Sequence, residues 1–234
     1  MDDAAPAFGL DRQIDTLARE GARLAATVRR DPGARLRSCP DWTGGDLLAH
    51  VSSFARWVNG LLSGGPADRD LPAVATADAD ATWDDDLARL VDALRTTAPD
   101  ADAPNWAVSP DTVAFWQRRA AHELTVHRWD AETADGAVPS PIDADVAADG
   151  VDEFFDVFVA TGLAAGMVAR TAATLAVELT DRGTRRSVDL PESGPVTTIR
   201  GSAEDVLLAV WGRRPLLPLY IDGDPTLLDN WPTI

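Results

Sequence analysis

The feature that most constrains the fold is a predicted long helix, residues 109–136, with two ionisable side chains on its core-facing surface. Ser109 is predicted to cap the start of this helix, because a proline suited to the first helical position and an acidic residue follow it. Gly136 is predicted to end the helix. At about 100° per residue, Glu123 and His127 lie one turn apart on one face. The rest of that face is apolar: Val113, Trp116, Ala120, Ala131 and Ala134. Because a buried carboxylate and imidazole are unfavourable without partners, the pattern predicts a partner on another helix.

A second predicted helix, residues 44–62, can supply that partner. It follows the motif CPDWT (residues 39–43), in which Thr43 is placed to cap the helix, with Asp46 at the third helical position. Its apolar face carries His50 near the middle of the helix. Two of the three histidines in the chain therefore lie on the core faces of two separate helices.

Hydrophobic periodicity predicts two more helices, over residues 11–30 and 82–97, which complete a four-helix bundle. After a proline-containing linker the pattern changes to α+β. The predicted fold is mainly α with α+β: a four-helix bundle in residues 1–138 and a small C-terminal α+β domain in residues 139–234. The elements predicted for the second domain are a helix over 143–160, strands over 174–180, 186–190, 196–200 and 216–221, a helix capped by Ser202, and a short terminal helix from Asp224.

Composition excludes several classes of function. The formal net charge is −17, from 38 acidic and 21 basic residues, and such a surface repels nucleic acid. One cysteine excludes an internal disulfide and indicates a reducing compartment. The N-terminus lacks the pattern of a signal peptide, and no stretch has the roughly 18 apolar residues that cross a bilayer. We expect a cytoplasmic protein with no nucleic-acid or membrane partner; its oligomeric state is not predicted.

Two imidazoles and one carboxylate are the ligand set of a catalytic zinc site, in which a fourth position stays open for water or substrate. Zinc fits this set best, although nickel or iron would accept the same ligands. A positively charged site of this kind favours a bound hydroxide or thiolate. Spacing alone leaves an alternative open, because Glu and His four residues apart are also typical of a helix salt bridge or a solvated face.

The segments CPDWTGGDLLAHV (residues 39–51) and AAHELTVHRWDAE (residues 120–132) resemble the actinobacterial mycothiol-dependent maleylpyruvate isomerase family. The segment VLLAVWGRRPLLPLYIDGDPTLLDNW (residues 206–231) resembles the C-terminal domain of that family. The resemblance implies an N-terminal DinB-like bundle and a C-terminal domain similar to sterol-carrier proteins. It also implies a metal bound by one histidine of the first motif and a Glu/His pair of the second: His50, Glu123 and His127.

The resemblance further implies mycothiol as the thiol cofactor or cosubstrate. Its thiolate would add to the cis double bond of a maleylpyruvate-like diacid, and rotation followed by elimination would give the trans isomer. We therefore predict a mycothiol-dependent isomerase. A mycothiol S-transferase acting on small electrophiles shares the first step, and a noncatalytic metal-containing ligand-binding module is a further alternative.

Residues around these motifs have simpler interpretations. His122 points about 100° away from Glu123, so it is predicted to be a surface or helix-contact residue. Cys39 and Trp42 are predicted to pack at the start of the second helix. Asp46 is placed to cap that helix or to orient His50, and capping is favoured. The resemblance implies a substrate-binding arginine in the C-terminal domain, and Arg213 is our candidate for it.

Overall fold

The computed structural model describes residues 8–65, 71–167, 172–190, 192–216 and 219–228. These residues divide into two compact units. The first contains the chain up to Trp106 together with Pro110–Ser140, and the second contains Ala107–Ser109 and the chain from Pro141 onward. The domain boundary at residue 138 stays a prediction. Within the described ranges, no helix is long and apolar enough to cross a membrane.

Four helices form the first unit: α1 (Leu10–Val28), α2 (Gly44–Leu62), α3 (Thr76–Thr96) and α4 (Val113–Glu132). Helix α1 packs chiefly against α4, and α2 chiefly against α3. The apolar faces predicted from periodicity meet in one hydrophobic core. Its largest fully buried apolar side chains are Leu17, Leu24, Leu36, Leu47, Leu48, Trp83, Leu90, Leu94, Trp116 and Leu124.

Helix α4 begins later and ends earlier than the sequence predicted. Ser109 is not its cap; the hydroxyl of Thr112 accepts from the backbone N–H of Phe115 at 3.4 Å. In the loop before the cap, the Asp111 carboxylate accepts hydrogen bonds from the backbone N–H and the side-chain amide of Asn105 at 2.8 and 2.9 Å. The helix ends at Glu132, and a separate 3₁₀ turn follows at Ala134–Gly136.

Helix α3 begins at Thr76, more than a turn before its predicted start at residue 82. The prediction missed this first turn because the segment TADADA (residues 76–81) has no apolar face. Alanine still favours a helix there, and Ala79 is buried in the core.

Helix α2 starts with the predicted capping arrangement. The backbone N–H of Asp46 donates to the Thr43 hydroxyl at 3.3 Å, and the Asp46 carboxylate accepts from the Thr43 backbone N–H at 2.9 Å. A hydrogen bond from the Thr43 hydroxyl to the Asp46 carboxylate, at 2.7 Å, and the one from the Thr43 backbone N–H hold the pKa of Asp46 below its ordinary value. The reciprocal pair fixes the first turn of α2, and His50 follows in the second turn.

We expect Thr43→Ala to lower the free energy of unfolding by about 1 kcal/mol, because an N-cap hydroxyl and its reciprocal bond are lost. Urea denaturation followed by circular dichroism would measure the change. Thr96→Ala is the matched control, because that exposed hydroxyl only donates back to Asp92 of its own helix. Equal midpoints for Thr43→Ala and wild type would contradict the role of the capping box.

The second unit is a mixed α+β structure. Helix α5 (Ala144–Glu153) continues through a π-helical segment (Phe154–Val159) into α6 (Ala160–Ala164). The remaining elements are β1 (Ala172–Leu179), β2 (Thr184–Asp189), β3 (Glu192–Gly201), α7 (Ala203–Val210), β4 (Tyr220–Asp222) and a 3₁₀ turn (Pro225–Leu228).

The four strands form one sheet in the order β2-β1-β3-β4. β1 and β2 are antiparallel, and the turn that joins them contains Gly183 at φ +63°. β1 and β3 are parallel, and β4 pairs antiparallel with β3. The Ser202 cap is confirmed, because its hydroxyl accepts from the Asp205 N–H at 3.1 Å. The strand predicted over 216–221 is shorter, and residues 217 and 218 lie outside the described residues. The short helix predicted from Asp224 is the 3₁₀ turn.

Candidate metal centre

The three predicted donor side chains meet between α2 and α4. Nε2 of His50 and Nε2 of His127 each lie 3.2 Å from Oε1 of Glu123. The two imidazole rings are 5.1 Å apart and nearly perpendicular. One ligand atom from each residue lies within 4.8 Å of the others. The positions of these residues on the apolar helix faces therefore predicted which side chains would come together. Their role as metal ligands stays a prediction.

Two further side chains support His127 at its other ring nitrogen, Nδ1. Its Nδ1 lies 3.0 Å from Oδ2 of Asp130, whose side chain is fully buried. The Ser38 hydroxyl donates to the other carboxylate oxygen of Asp130 at 2.7 Å. A carboxylate acceptor at Nδ1 keeps a proton on that nitrogen, so Nε2, which faces Glu123, is the nitrogen that a metal ion would take.

Arg119 holds Glu123 in a comparable way. Its guanidinium donates to Oε2 of Glu123 at 3.0 Å, and its side chain is only 4% exposed. One oxygen of the carboxylate is thus taken by Arg119, while the other faces both histidines. The two residues are four apart on α4, a spacing that favours an ion pair along the helix.

The charges of the cluster are strongly coupled. Burial alone would raise the pKa of Glu123, but the charge of His127 and hydrogen bonds from both histidines hold it well below the ordinary 4.5. Burial likewise opposes protonation of His127, but the Glu123 and Asp130 carboxylates outweigh it and raise the pKa of His127 to about 9. In the metal-free protein His127 is therefore an imidazolium between two carboxylates, and a cation at Nε2 would compete with that proton.

This geometry suits a shared divalent ion. Two imidazole nitrogens and one carboxylate oxygen converge, and across the described part of the chain no fourth His, Cys, Asp or Glu joins the group. A three-donor set leaves a coordination position for an exogenous ligand, as catalytic sites do. The ring of Trp42 lies 5.1 Å from that of His50 and packs against the hydrophobic core.

The group of potential ligands does not include the other predicted residues. His122 is not a surface residue: it is fully buried, and its ring lies 5.5 Å from that of Phe8. Cys39 is partly buried and packs against the core, as predicted. Asp46 serves as a cap. Arg213 lies in the second unit, where its guanidinium donates to the Trp211 carbonyl at 2.9 Å.

Sequence reasoning did not identify the residues that support the ligands. Asp130 stands three residues after His127 and Arg119 four before Glu123, and both spacings put a side chain within reach on one helix. That spacing is a usable signal for these two. Ser38 precedes the CPDWT motif, and no local pattern connects it with α4.

A helical bundle with a His/Glu/His cluster, followed by a small mixed sheet unit, defines a class of two-part proteins with a candidate metal centre. Two family models match consecutive parts of the chain. The one described as "Mycothiol maleylpyruvate isomerase N-terminal domain" matches residues 14–132, and the one described as "MDMPI C-terminal domain" matches residues 145–230. The chain therefore belongs to the mycothiol maleylpyruvate isomerase family, as its motifs predicted.

Solved structures agree with the fold. A crystal structure of a mycothiol-dependent maleylpyruvate isomerase superposes with a TM-score of 0.69 at 15% identity, covering 93% of this chain and 95% of that chain. The structure of a histidine-to-alanine mutant of such an isomerase gives 0.68 at 14% identity with the same coverage. The predicted fold class is thereby confirmed. A search of curated protein sequences found no significant match.

Proposed function

We propose that this chain is a mycothiol-dependent isomerase acting on a maleylpyruvate-like cis-enoyl diacid. We further propose that His50, Glu123 and His127 bind a divalent metal, for which zinc is the best candidate. The observation that carries the proposal is the convergence of these three donors in a member of the mycothiol maleylpyruvate isomerase family. Membership of the family supports the cofactor and the reaction, and the cluster is our proposed place for the action of the thiol.

The donor set supports the metal assignment independently of the family. Both histidines present Nε2 to one carboxylate oxygen at 3.2 Å. A helix salt bridge alone would not require a second histidine from another helix. Nor would it explain the buried Asp130 behind His127, since a carboxylate in this place is a common support of a metal-binding imidazole.

Each side chain has a separate part in this proposal. His50 and His127 bind as neutral imidazoles, and Asp130 keeps His127 in the required tautomer. Glu123 would contribute a carboxylate ligand and reduce the charge of the ion. A bound divalent cation supplies a Lewis acid that favours the thiolate form of the thiol. Trp42 packs against the His50 ring and limits its rotation.

A diacid substrate also needs a cationic contact. Arg213 is our proposed partner for one of its carboxylates, because a guanidinium binds a carboxylate through two parallel hydrogen bonds. Because the chain has a net charge of −17, a local cation of this kind favours the binding of an anionic substrate.

The test incubates purified, zinc-loaded protein with mycothiol and maleylpyruvate, followed by mass spectrometry and NMR. We expect the trans isomer to form, with mycothiol recovered intact and with turnover that requires both metal and thiol. Omission of each component in turn is the control. A stable thiol adduct would instead identify an S-transferase. Binding of both compounds without conversion would identify a noncatalytic binding module.

We expect Asp130→Asn to weaken metal binding by about 10- to 100-fold, because the neutral amide makes His127 a less basic ligand and no longer fixes its tautomer. Competition with a chromogenic chelator measures the affinity.

Ser38→Ala is the graded control for Asp130→Asn, since it removes only the hydrogen bond to the far oxygen of Asp130 and should have a smaller effect. Thermal unfolding of both variants separates metal loss from unfolding. Unchanged metal affinity in folded Asp130→Asn would contradict the supporting role of this carboxylate.

A further inference from the structure

The strongest feature beyond the donor set is the ion pair between the buried Arg119 and the half-buried Glu123. The guanidinium donates to Oε2 at 3.0 Å, and the side chains are 4% and 18% exposed. Oε1 faces the two histidines instead. The carboxylate is therefore divided, with one oxygen for the candidate ion and one for the arginine.

This division matters because a free carboxylate can bind an ion through one oxygen or through both. Binding through both would fill a coordination position that a catalytic site must leave open. A hydrogen bond from a buried guanidinium strongly favours keeping Oε2 where it is.

We infer that Arg119 is a positioning residue that keeps Glu123 monodentate and so reserves the open coordination position for an anionic thiolate. This inference rests on the proposed metal- and thiol-dependent function. Arg119 also adds a positive charge close to the site. That charge opposes cation binding but favours an anionic ligand.

The two effects give a signature that a purely structural residue would not produce. Removing Arg119 should leave the affinity for the metal unchanged or higher, because a cationic neighbour is lost and both carboxylate oxygens become available. The same change should weaken thiolate binding. A structural role would instead reduce metal affinity, thiol affinity and stability together.

The experiment uses full-length protein loaded with Co²⁺. Metal affinity is measured by competition with a chromogenic chelator. Thiol affinity is measured by titration with mycothiol, and separately with 2-mercaptoethanol, from the thiolate-to-cobalt absorption band. The variants are Arg119→Gln, which removes the charge, and Arg119→Lys, which keeps the charge but loses the planar donor geometry.

Arg56→Gln is the matched control. Arg56 is another arginine of the bundle and donates to Asp86 at 2.8 Å and to Thr82 at 2.6 Å, so its loss should lower the melting temperature only.

For Arg119→Gln we expect thiol affinity to fall about tenfold, with Co²⁺ affinity retained or increased. Arg119→Lys should lose less thiol affinity than Arg119→Gln. If Arg119→Gln does not fold, the thiol and Co²⁺ affinities of Arg119→Lys decide the question instead. Full thiol affinity in the deciding variant, or a parallel loss of metal and thiol affinity, would overturn the inference alone. No cobalt binding or thiolate band in wild type would overturn the proposed function together with it.

Discussion

The His50→Ala variant is expected to lose its bound metal and at least about 100-fold of the thiol-dependent isomerase activity, while keeping its fold. His50 is the only donor of the cluster that α2 contributes, and its Nε2 lies 3.2 Å from Oε1 of Glu123. Without it, one imidazole and one carboxylate from α4 are left, which is too few to hold a divalent ion tightly. The His50 side chain is 27% exposed, so its truncation leaves little buried cavity.

Metal content by mass spectrometry, turnover and thermal unfolding would be measured on the same preparations. His122→Ala is the matched control, because this histidine lies on α4 one residue from Glu123 but packs against Phe8. That variant should be less stable yet keep its metal. One metal ion per chain in His50→Ala would show that the α2 histidine is not a ligand, and the proposed centre would be wrong.

Which side chains face the space between α2 and α4 could be predicted, because the geometry within each helix is local, while their role as metal ligands stays a prediction. A rotation of about 100° per residue places Glu123 and His127 on one face whatever the rest of the chain does. The capping box that starts α2 likewise depends only on Thr43 and the residue three positions later. Hydrophobic periodicity also predicted the four helices of the first unit, and the predicted fold class is confirmed.

The rest depends on interactions between distant parts of the chain. Ser38 and Asp130 are 92 residues apart, and their hydrogen bond follows only from how the loop before α2 packs on α4. The true cap of α4 is Thr112, which follows a loop held by contacts between Asn105 and Asp111, six residues apart. The parallel pairing of β1 with β3 is equally non-local. The alternation of apolar and polar residues along each strand therefore could not predict which strands pair.

The second large effect is expected for Arg128→Met, which should lower the free energy of unfolding by about 3–5 kcal/mol. The Arg128 side chain is 1% exposed and its Nε donates to Glu20 of α1 at 2.6 Å. Its Nη1 donates to Glu132 at 3.0 Å and to the Ser140 carbonyl at 2.6 Å. Methionine fills similar space but leaves the two carboxylates without this cation in a buried place. The arginine therefore joins α1, α4 and the segment after α4.

Chemical denaturation of the wild type and the variant would measure the difference. Arg29→Met is the control for an exposed ion pair, because Arg29 contacts Asp80 with both side chains well exposed, and its loss should change stability by less than about 1 kcal/mol. A second substitution, Glu20→Leu, should restore part of the stability in the Arg128→Met background, since it removes one buried carboxylate left behind. A free energy of unfolding for Arg128→Met within about 1 kcal/mol of the wild-type value would contradict this prediction. The hydrogen bonds of Arg128 would then result from helix packing and would not stabilise it.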